Sequence, residues 1–215
     1  LIGASGQSLA SVTFASGAAM TGSFGAFAAG TDAAKVYNVT GGATFASLGG
    51  QGTFTGGKVT VSGAYTPGNS PGTQNFDAGL ALSGATTLEI AADGSAWDLV
   101  NITAGGLDLS SGTASLAIIL DGVADYSTTF WDTNHTFTLI SADSVSGAFT
   151  GIDITGLGVD AAQGAWGAAW NGNNFEATWT ATAVPEPSTY GLLGAGALAA
   201  VAFVRRRRKF AGKAA

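Results

Sequence analysis

The sequence predicts an all-β domain over residues 1–183, followed by a single helix near the C-terminus. Apolar and polar residues alternate in short segments, which is the pattern of strands with one face turned inward. Glycine is abundant, at 34 of 215 residues, and no stretch of this domain keeps a helical period over three turns. Two architectures fit, a solenoid of stacked strands and a β-sandwich. The glycine-rich corners favour the solenoid, because tight turns need positive φ angles and small side chains.

The alternating segments follow one another along the chain, and a Gly, Asp or Asn interrupts the residues after each of them. We expect the apolar residues to face the core and the Thr, Ser and Asp residues between them to face solvent. Spacing between segments is irregular, which argues against an exact repeat length. The predicted strands contain Val59 and Val61, Leu80 and Leu82, Leu88 and Ile90, Val100 and Ile102, Leu107 and Leu109, Leu116, Ile118 and Leu120, Phe137 and Leu139, and Ile152 and Ile154.

Large aromatic side chains gather late in the domain, where we expect them to form a cap that closes the stack. This group includes Trp131, Trp166, Trp170 and Trp179. Burial in such a cap is the usual fate of these residues. The alternative is a carbohydrate-binding module, which would need at least two coplanar exposed tryptophan rings.

A corner rich in proline and glycine lies between the early strands, and we expect it to be a rigid turn. It consists of Pro67, Gly68, Asn69, Ser70, Pro71 and Gly72. Together with the strands that follow, this corner resembles the autotransporter-associated β-strand repeat over roughly residues 36–154. The resemblance implies a right-handed parallel β-helix.

The C-terminal segment has three parts in a fixed order. A proline-containing motif and linker (residues 184–190) precede an uncharged apolar stretch (residues 191–204) and a basic tail (residues 205–215). The motif reads Val184, Pro185, Glu186, Pro187, Ser188 and Thr189, and the tail opens with Arg205, Arg206, Arg207, Arg208 and Lys209.

The order of these parts predicts a transmembrane helix with a cytoplasmic basic tail. As a helix, residues 191–204 would span roughly 21 Å, against ~30 Å for a bilayer core, so interfacial residues must complete the span. Five adjacent cations cross a bilayer at high cost and therefore stay inside the cell. Residues 1–183 are then outside it. The two prolines favour an extended segment, the shape that a processing enzyme grips.

These residues resemble the PEP-CTERM sorting signal of Gram-negative bacteria, from Val184 to about Lys209. The resemblance implies processing by a membrane-embedded exosortase near the Pro-Glu-Pro element. It also implies transient anchoring in inner-membrane lipid, followed by delivery to the outer surface or the extracellular matrix. Because the sequence begins at Leu1 with no signal peptide, we expect an export signal, and further chain, to precede it.

Composition excludes several classes of function. There is no cysteine, and therefore neither a disulfide framework nor thiol chemistry. Before Pro185 only two lysines, Lys35 and Lys58, oppose thirteen acidic residues, a net charge of −11. Such a surface repels nucleic acid, so no nucleic-acid partner is expected.

Candidate catalytic and metal-binding residues are few. His135 is the only histidine. The sequence contains neither the nucleophile elbow that a serine triad would need nor a second histidine or cysteine for a zinc site. We expect His135 to be a polar residue at the start of a strand. The pairs Asp93 and Asp98, and Asp121 and Asp125, flank short turns; solvated turn residues are the favoured interpretation and calcium ligands the alternative.

We therefore expect a non-enzymatic structural or adhesin-type protein of the cell surface or matrix, with no cofactor, metal or catalytic residue. The alternative is a protein that binds or degrades extracellular polysaccharide, since β-helices can host paired carboxylates. A convergent acidic cleft would favour that alternative, whereas ladders of Thr, Ser and Asn would favour the structural role.

Overall fold

The computed structural model describes residue 20 and residues 22–69, 71–158, 162–182, 195–199 and 201. The chain divides into two compact units, Leu1–Ala181 and Thr182–Ala215, and each is described by itself. The first unit is built of strands, as the alternation predicts.

A seven-stranded sheet forms one part of the first unit. Its first five strands are parallel, and the last two form an antiparallel hairpin that pairs with the fifth strand. In sheet order the strands are β2 (Val36–Asn38), β4 (Gly52–Thr55), β7 (Thr73–Phe76), β10 (Leu99–Ile102), β13 (His135–Ala142), β17 (Asn174–Ala181) and β16 (Gly164–Asn171).

A ten-stranded sheet forms the other part, and all its pairs are parallel. It branches at β3 (Ala43–Gly50), whose first half pairs with β5 and whose second half pairs with β6, while β1 (Gly22–Ala28) pairs along β3. One branch continues through β5 (Val59–Val61), β8 (Leu80–Leu82), β11 (Leu107–Leu109) and β14 (Val145–Gly147). The other continues through β6 (Tyr65–Pro67), β9 (Ala85–Ala91), β12 (Ser115–Asp121) and β15 (Ile152–Gly156).

From β4 onward, each parallel strand up to β12 pairs with the third strand after it. Three successive strands therefore form a repeating set, and the sets are β4–β6, β7–β9, β10–β12 and β13–β15. The sets begin at Gly52, Thr73, Leu99 and His135, so the interval lengthens at every step. A turn bridged by Ile90 and Trp97 and the loop from Gly122 to Asn134 account for most of the added length. Insertions between strands thus hide the repeat in the sequence.

The core consists of apolar side chains stacked from one set to the next. Val59, Leu80 and Leu107 are register partners in adjacent strands, and all three are buried. Phe54 and Phe76 are likewise partners, and their rings stack at 5.2 Å between centroids. Burial of an aliphatic or aromatic side chain contributes roughly 1.5–3 kcal/mol, so these stacks hold the sets together.

Two expectations need correction. Ile152 was expected to face the core, but it is 44% exposed, because β15 is the last strand of its branch. Large aromatic side chains were expected to gather near the end of the domain. A second group, near its start, also packs in the core through stacked and edge-to-face contacts. This early group comprises Phe27, Tyr37, Phe45, Phe54 and Phe76.

In the second unit, residues 195–199 and 201 are helical and exposed. They fall within the predicted transmembrane stretch 191–204, and the rest of that stretch lies outside the described residues. Among the residues that are described, no helix is both long and apolar enough to cross a bilayer.

Candidate functional site

The sorting residues predicted from the sequence lie outside the described residues. This applies to Val184, Pro185, Glu186, Pro187, Ser188 and Thr189, and to Arg205, Arg206, Arg207, Arg208 and Lys209. The candidate surfaces that the structure does describe are therefore all in the β unit: a corner, its groove, outer side-chain ladders and an aromatic end.

The proline–glycine corner after β6 is held by the carboxylate of Asp98. Asp98 is fully buried, its Oδ1 accepts a hydrogen bond from the Gly72 backbone N–H at 2.8 Å, and its Oδ2 accepts one from the Glu89 N–H at 2.9 Å. Gly68 has a φ of 83°, and a Cβ at this position would lie 2.0 Å from Asp98 Oδ1. Only glycine fits there, so the predicted rigid turn is confirmed at the described residues of the corner. Ser70 lies outside them.

Sequence analysis placed Asp98 among solvated turn residues, and this is wrong. Its two hydrogen bonds reach backbone groups 26 and 9 residues away, and no local pattern reveals such partners. By contrast, Asp93 and Asp125 are exposed turn residues as expected, each accepting hydrogen bonds from the serine two positions later. Those hydrogen bonds, from Ser95 and Ser127, lower the pKa of the two carboxyls.

Two carboxyl groups beside the corner, those of Asp98 and Glu89, have raised pKa values. Burial raises the pKa of Asp98 to about 7, although the two backbone hydrogen bonds act in the opposite direction. Burial also raises the pKa of the Glu89 carboxyl, and the charge of Asp121 adds to that shift. Both oxygens of Asp98 are engaged inside the protein, so this group cannot reach a substrate. Within the described chain, no three acidic or histidine side chains are arranged to hold a metal ion.

A shallow groove of about 360 Å³ runs along the corner. Its floor is largely glycine backbone, and its polar side chains are Thr66, Asn69, Thr87 and Glu89. A hydroxyl- and amide-lined groove of this kind can form hydrogen bonds with a polar chain, but it offers no aromatic ring for a sugar to stack on.

Polar side chains form a ladder on the outer face of the seven-stranded sheet. Thr53, Asn75, Asn101 and Ser141 are register partners in four adjacent strands. The Asn101 Nδ2 donates to Asn75 Oδ1 at 3.1 Å, and the Asn75 Nδ2 donates to Thr53 Oγ1 at 3.4 Å. The sequence shows these residues only as isolated positions, and knowledge of the strand register is needed to connect them.

The opposite sheet carries a second outer row. Thr44, Thr60, Ala81, Asp108 and Ser146 are register partners there. Lys58 forms an ion pair with Asp108 at 2.7 Å, and Ser146 Oγ donates to the same carboxylate at 3.3 Å. Hydrogen bonding to Lys58 lowers the pKa of Asp108. Both side chains are partly exposed, so the pair contributes at most about 1 kcal/mol.

The late aromatic side chains pack as the predicted cap against the β16–β17 hairpin. Trp179 is buried, stacks on Tyr126 at 4.8 Å, and donates its indole N–H to the Trp131 carbonyl at 2.8 Å. Trp131 is buried, while Trp166 and Trp170 are half-buried. None of these four tryptophans is exposed, so they do not form the pair of coplanar exposed rings that a carbohydrate-binding module would need.

His135 is the first residue of β13, as predicted. Its ring stacks on Phe130 with the centroids 3.8 Å apart and the planes 3° apart, and its Nε2 is within hydrogen-bond distance of Thr133 Oγ1 and the Phe130 carbonyl. These contacts give His135 a packing role at the edge of the cap.

Comparison with protein families returns a match to the PEP-CTERM protein-sorting motif over residues 183–208. The chain therefore carries a C-terminal sorting signal for exosortase processing, which marks an exported protein that is transiently anchored in a membrane. The expected likeness to the autotransporter-associated repeat finds no support in this comparison. A search of curated proteins returned no match.

Proposed function

We propose that the β unit is a right-handed parallel β-helix, in which each set of three strands is one turn. Parallel pairing between every third strand supports this architecture, since the two sheets of a β-sandwich are antiparallel. Nearly all crossovers between parallel strands of one sheet are right-handed, which supports the hand.

In this proposal the chain is a structural or adhesin-type protein of the outer surface or extracellular matrix of a Gram-negative bacterium. The sorting motif at residues 183–208 carries the proposal, because it defines export and processing. Exosortase is the processing partner, and membrane lipid holds the C-terminal helix until cleavage.

The outer face of the β unit supports a structural role. In the ladder, the side chains of Asn75 and Asn101 form hydrogen bonds with residues of neighbouring strands. Asp98, whose pKa burial raises to about 7, is enclosed by the corner that it holds. A glycosidase needs two carboxyl groups that face the same sugar, and Asp98 faces the backbone of its own chain.

Mass spectrometry of protein recovered from the native cell surface tests the proposal directly. We expect a mature C-terminus near the Pro185–Pro187 element, and peptides from the basic tail should be missing. A surface protein that still carries Arg205 to Arg208 would contradict processing, and a protein found only in the cytosol would contradict export.

Polysaccharide binding is the second candidate, and the groove beside Glu89 favours it. Glu89 lines the groove, and burial together with the charge of Asp121 raises the pKa of its carboxyl. Affinity electrophoresis through gels containing the native matrix polysaccharide tests this candidate. Retardation of the wild type that is lost in Glu89→Gln and Thr87→Ala, but kept in the distant Asp153→Asn, would support it.

A further inference from the structure

Three segments of the chain have the Asn-x-Thr pattern of N-linked glycan acceptors. They begin at Asn38, Asn101 and Asn134. The pattern matters only on an accessible surface of an exported protein. Export is part of the proposed function, so an inference drawn from these segments rests on it.

The three asparagines differ in accessibility and in hydrogen bonding. Asn101 is half-buried in β10, and the amide nitrogen that would carry a sugar donates to Asn75 Oδ1 at 3.1 Å. Asn38 is half-buried in β2, where its Oδ1 accepts from Thr40 Oγ1 at 2.8 Å and Gly56 packs against it. Asn134 alone of the three is exposed.

Asn134 also has the orientation that an acceptor needs. Its Oδ1 accepts a hydrogen bond from the Ala181 N–H at 2.9 Å, while its Nδ2 has no hydrogen-bond partner among the described residues. A glycan on Nδ2 leaves that hydrogen bond intact, because Oδ1 remains an acceptor after substitution. Thr136, the third residue of the pattern, is exposed as well.

The surroundings leave room for a large group. Asn134 is the last residue of the loop that joins β12 to β13, and its neighbours Asp132 and Thr133 are exposed. His135, between the two residues that define the pattern, packs inward on Phe130. The side chain of Thr136, the next residue of β13, therefore points to the opposite side from the aromatic cap, and Asn134 is exposed just before the strand. A sugar attached here would displace no core side chain.

We propose that Asn134 is an N-glycosylation site, modified outside the cytoplasm by a membrane oligosaccharyltransferase that uses a polyprenyl-diphosphate-linked oligosaccharide. Asn134 Nδ2 forms a bond to the anomeric carbon of the first sugar. The bond from that carbon to the diphosphate oxygen breaks, polyprenyl diphosphate leaves with the electron pair, and one amide proton passes to a base of the transferase. Thr136 stays exposed although it pairs with Thr178, so the reaction takes place on the folded β unit, in which Asn38 and Asn101 are half-buried.

The test is intact-mass and glycopeptide analysis of the full chain recovered from the surface of cells that express it. The peptide containing Asn134 should carry the mass of one oligosaccharide, and those containing Asn38 and Asn101 should not. Thr136→Ala should reduce occupancy to background while preserving Asn134 and its hydrogen bond to Ala181. Thr136→Ser, the matched control, should retain the glycan.

Asn134→Gln should lose the modification as well, and far-UV circular dichroism of the two Thr136 variants reports whether the fold is intact. An unmodified Asn134 in surface protein with a processed C-terminus would overturn this inference and leave the proposed sorting route standing. Modification at Asn38 or Asn101 in place of Asn134 would overturn it too. Retention of the whole chain in the cytosol would overturn both proposals.

Discussion

Asp98 illustrates how a single side chain fixes a corner built from distant parts of the chain. It joins the corner after β6 to strand β9 through two backbone hydrogen bonds, and it does so without solvent contact. The sequence indicates the corner itself, since Pro67 and Gly68 are turn residues with a known conformational reason. It does not indicate Asp98, because the partners of a buried carboxylate depend on the register of strands.

Burial of Asp98 predicts that the protein becomes less stable as the pH rises. Its pKa is about 7 in the folded state and ordinarily 3.8, so between these values the folded state holds a proton that the unfolded state lacks. The stabilisation is complete below about pH 4 and is lost as the pH rises through 7. The raised pKa of Glu89 acts in the same direction. We expect the free energy of unfolding in urea to fall by on the order of 2 kcal/mol from pH 5 to pH 8.

Asp98→Asn should remove most of this pH dependence, because asparagine does not titrate. It should also be less stable at pH 5, since its amide N–H₂ would face a backbone N–H, from which either oxygen of the protonated Asp98 carboxyl can still accept a hydrogen bond. Asp93→Asn is the control, because Asp93 is exposed and its pKa is lowered rather than raised. An unchanged slope between pH 5 and pH 8 in Asp98→Asn would show that the pH dependence arises elsewhere.

Among the strands, several with apolar inward-facing residues were predicted from the sequence, and others with polar or small inward-facing residues were not. The segments with alternating Val, Leu and Ile, such as β5, β8 and β12, are strands with those residues buried, except that Leu120 in β12 is half-buried. Strands β4 and β7 were not predicted, because their inward residues include Gly52 and Gln74, which give no apolar alternation. Gln74 is buried because Tyr65 and the Gly50 carbonyl satisfy its amide.

The terminal hairpin should contribute strongly to stability through Trp179. This side chain is buried, stacks on Tyr126 and donates a hydrogen bond to the Trp131 carbonyl. We expect Trp179→Ala to lower the free energy of unfolding by about 3–5 kcal/mol, measured in urea by far-UV circular dichroism. Thr180→Ala, an exposed change on the same strand, should stay within about 0.5 kcal/mol of wild type. Equal effects of the two changes would mean that the cap is not a packed core.

The Asn75–Asn101 ladder should act as a coupled pair. In a double-mutant cycle of Asn75→Ala and Asn101→Ala, we expect a coupling energy of roughly 0.5–1 kcal/mol, because each single change removes the same hydrogen bond. The cycle of Thr60→Ala and Asn101→Ala is the control, since these residues lie in different sheets, share no hydrogen-bond partner within the described part of the chain and should be additive within about 0.5 kcal/mol. If the effects of Asn75→Ala and Asn101→Ala on the free energy of unfolding are additive, the hydrogen bond between them does not stabilise the fold.

For the whole molecule, the C-terminal sequence carries the sorting signal, and the β unit is the part of the chain that is exported. The sorting motif could be identified from the sequence alone, because its proline, apolar and basic parts are contiguous in the chain. The architecture of the β unit could be predicted only as far as its class. Its repeat is defined by pairing between every third strand, and unequal insertions mask that repeat in the sequence.

Replacing Pro185, Glu186 and Pro187 by alanine should leave an uncleaved precursor in the membrane. Alanines favour helix, so the segment would lose the extended shape that a processing enzyme grips. Membrane fractionation and the mass of the accumulated chain measure the effect. Thr180→Ala is the control, because Thr180 is exposed and precedes the matched residues 183–208. A mature product of normal mass on the cell surface would contradict the role of this element.

Strand pairing also limits how far the β unit can reach. Neighbouring strands lie about 4.8 Å apart, so a sheet of seven strands rises only roughly 29 Å, close to the thickness of a bilayer's hydrocarbon layer. Each additional layer of strands would consume twenty or more residues on the scale seen from Gly52 to Thr73 and lengthen the sheet by a single strand spacing. The seven described strands of this sheet therefore form a short stack, and a longer reach would require further sets of three strands.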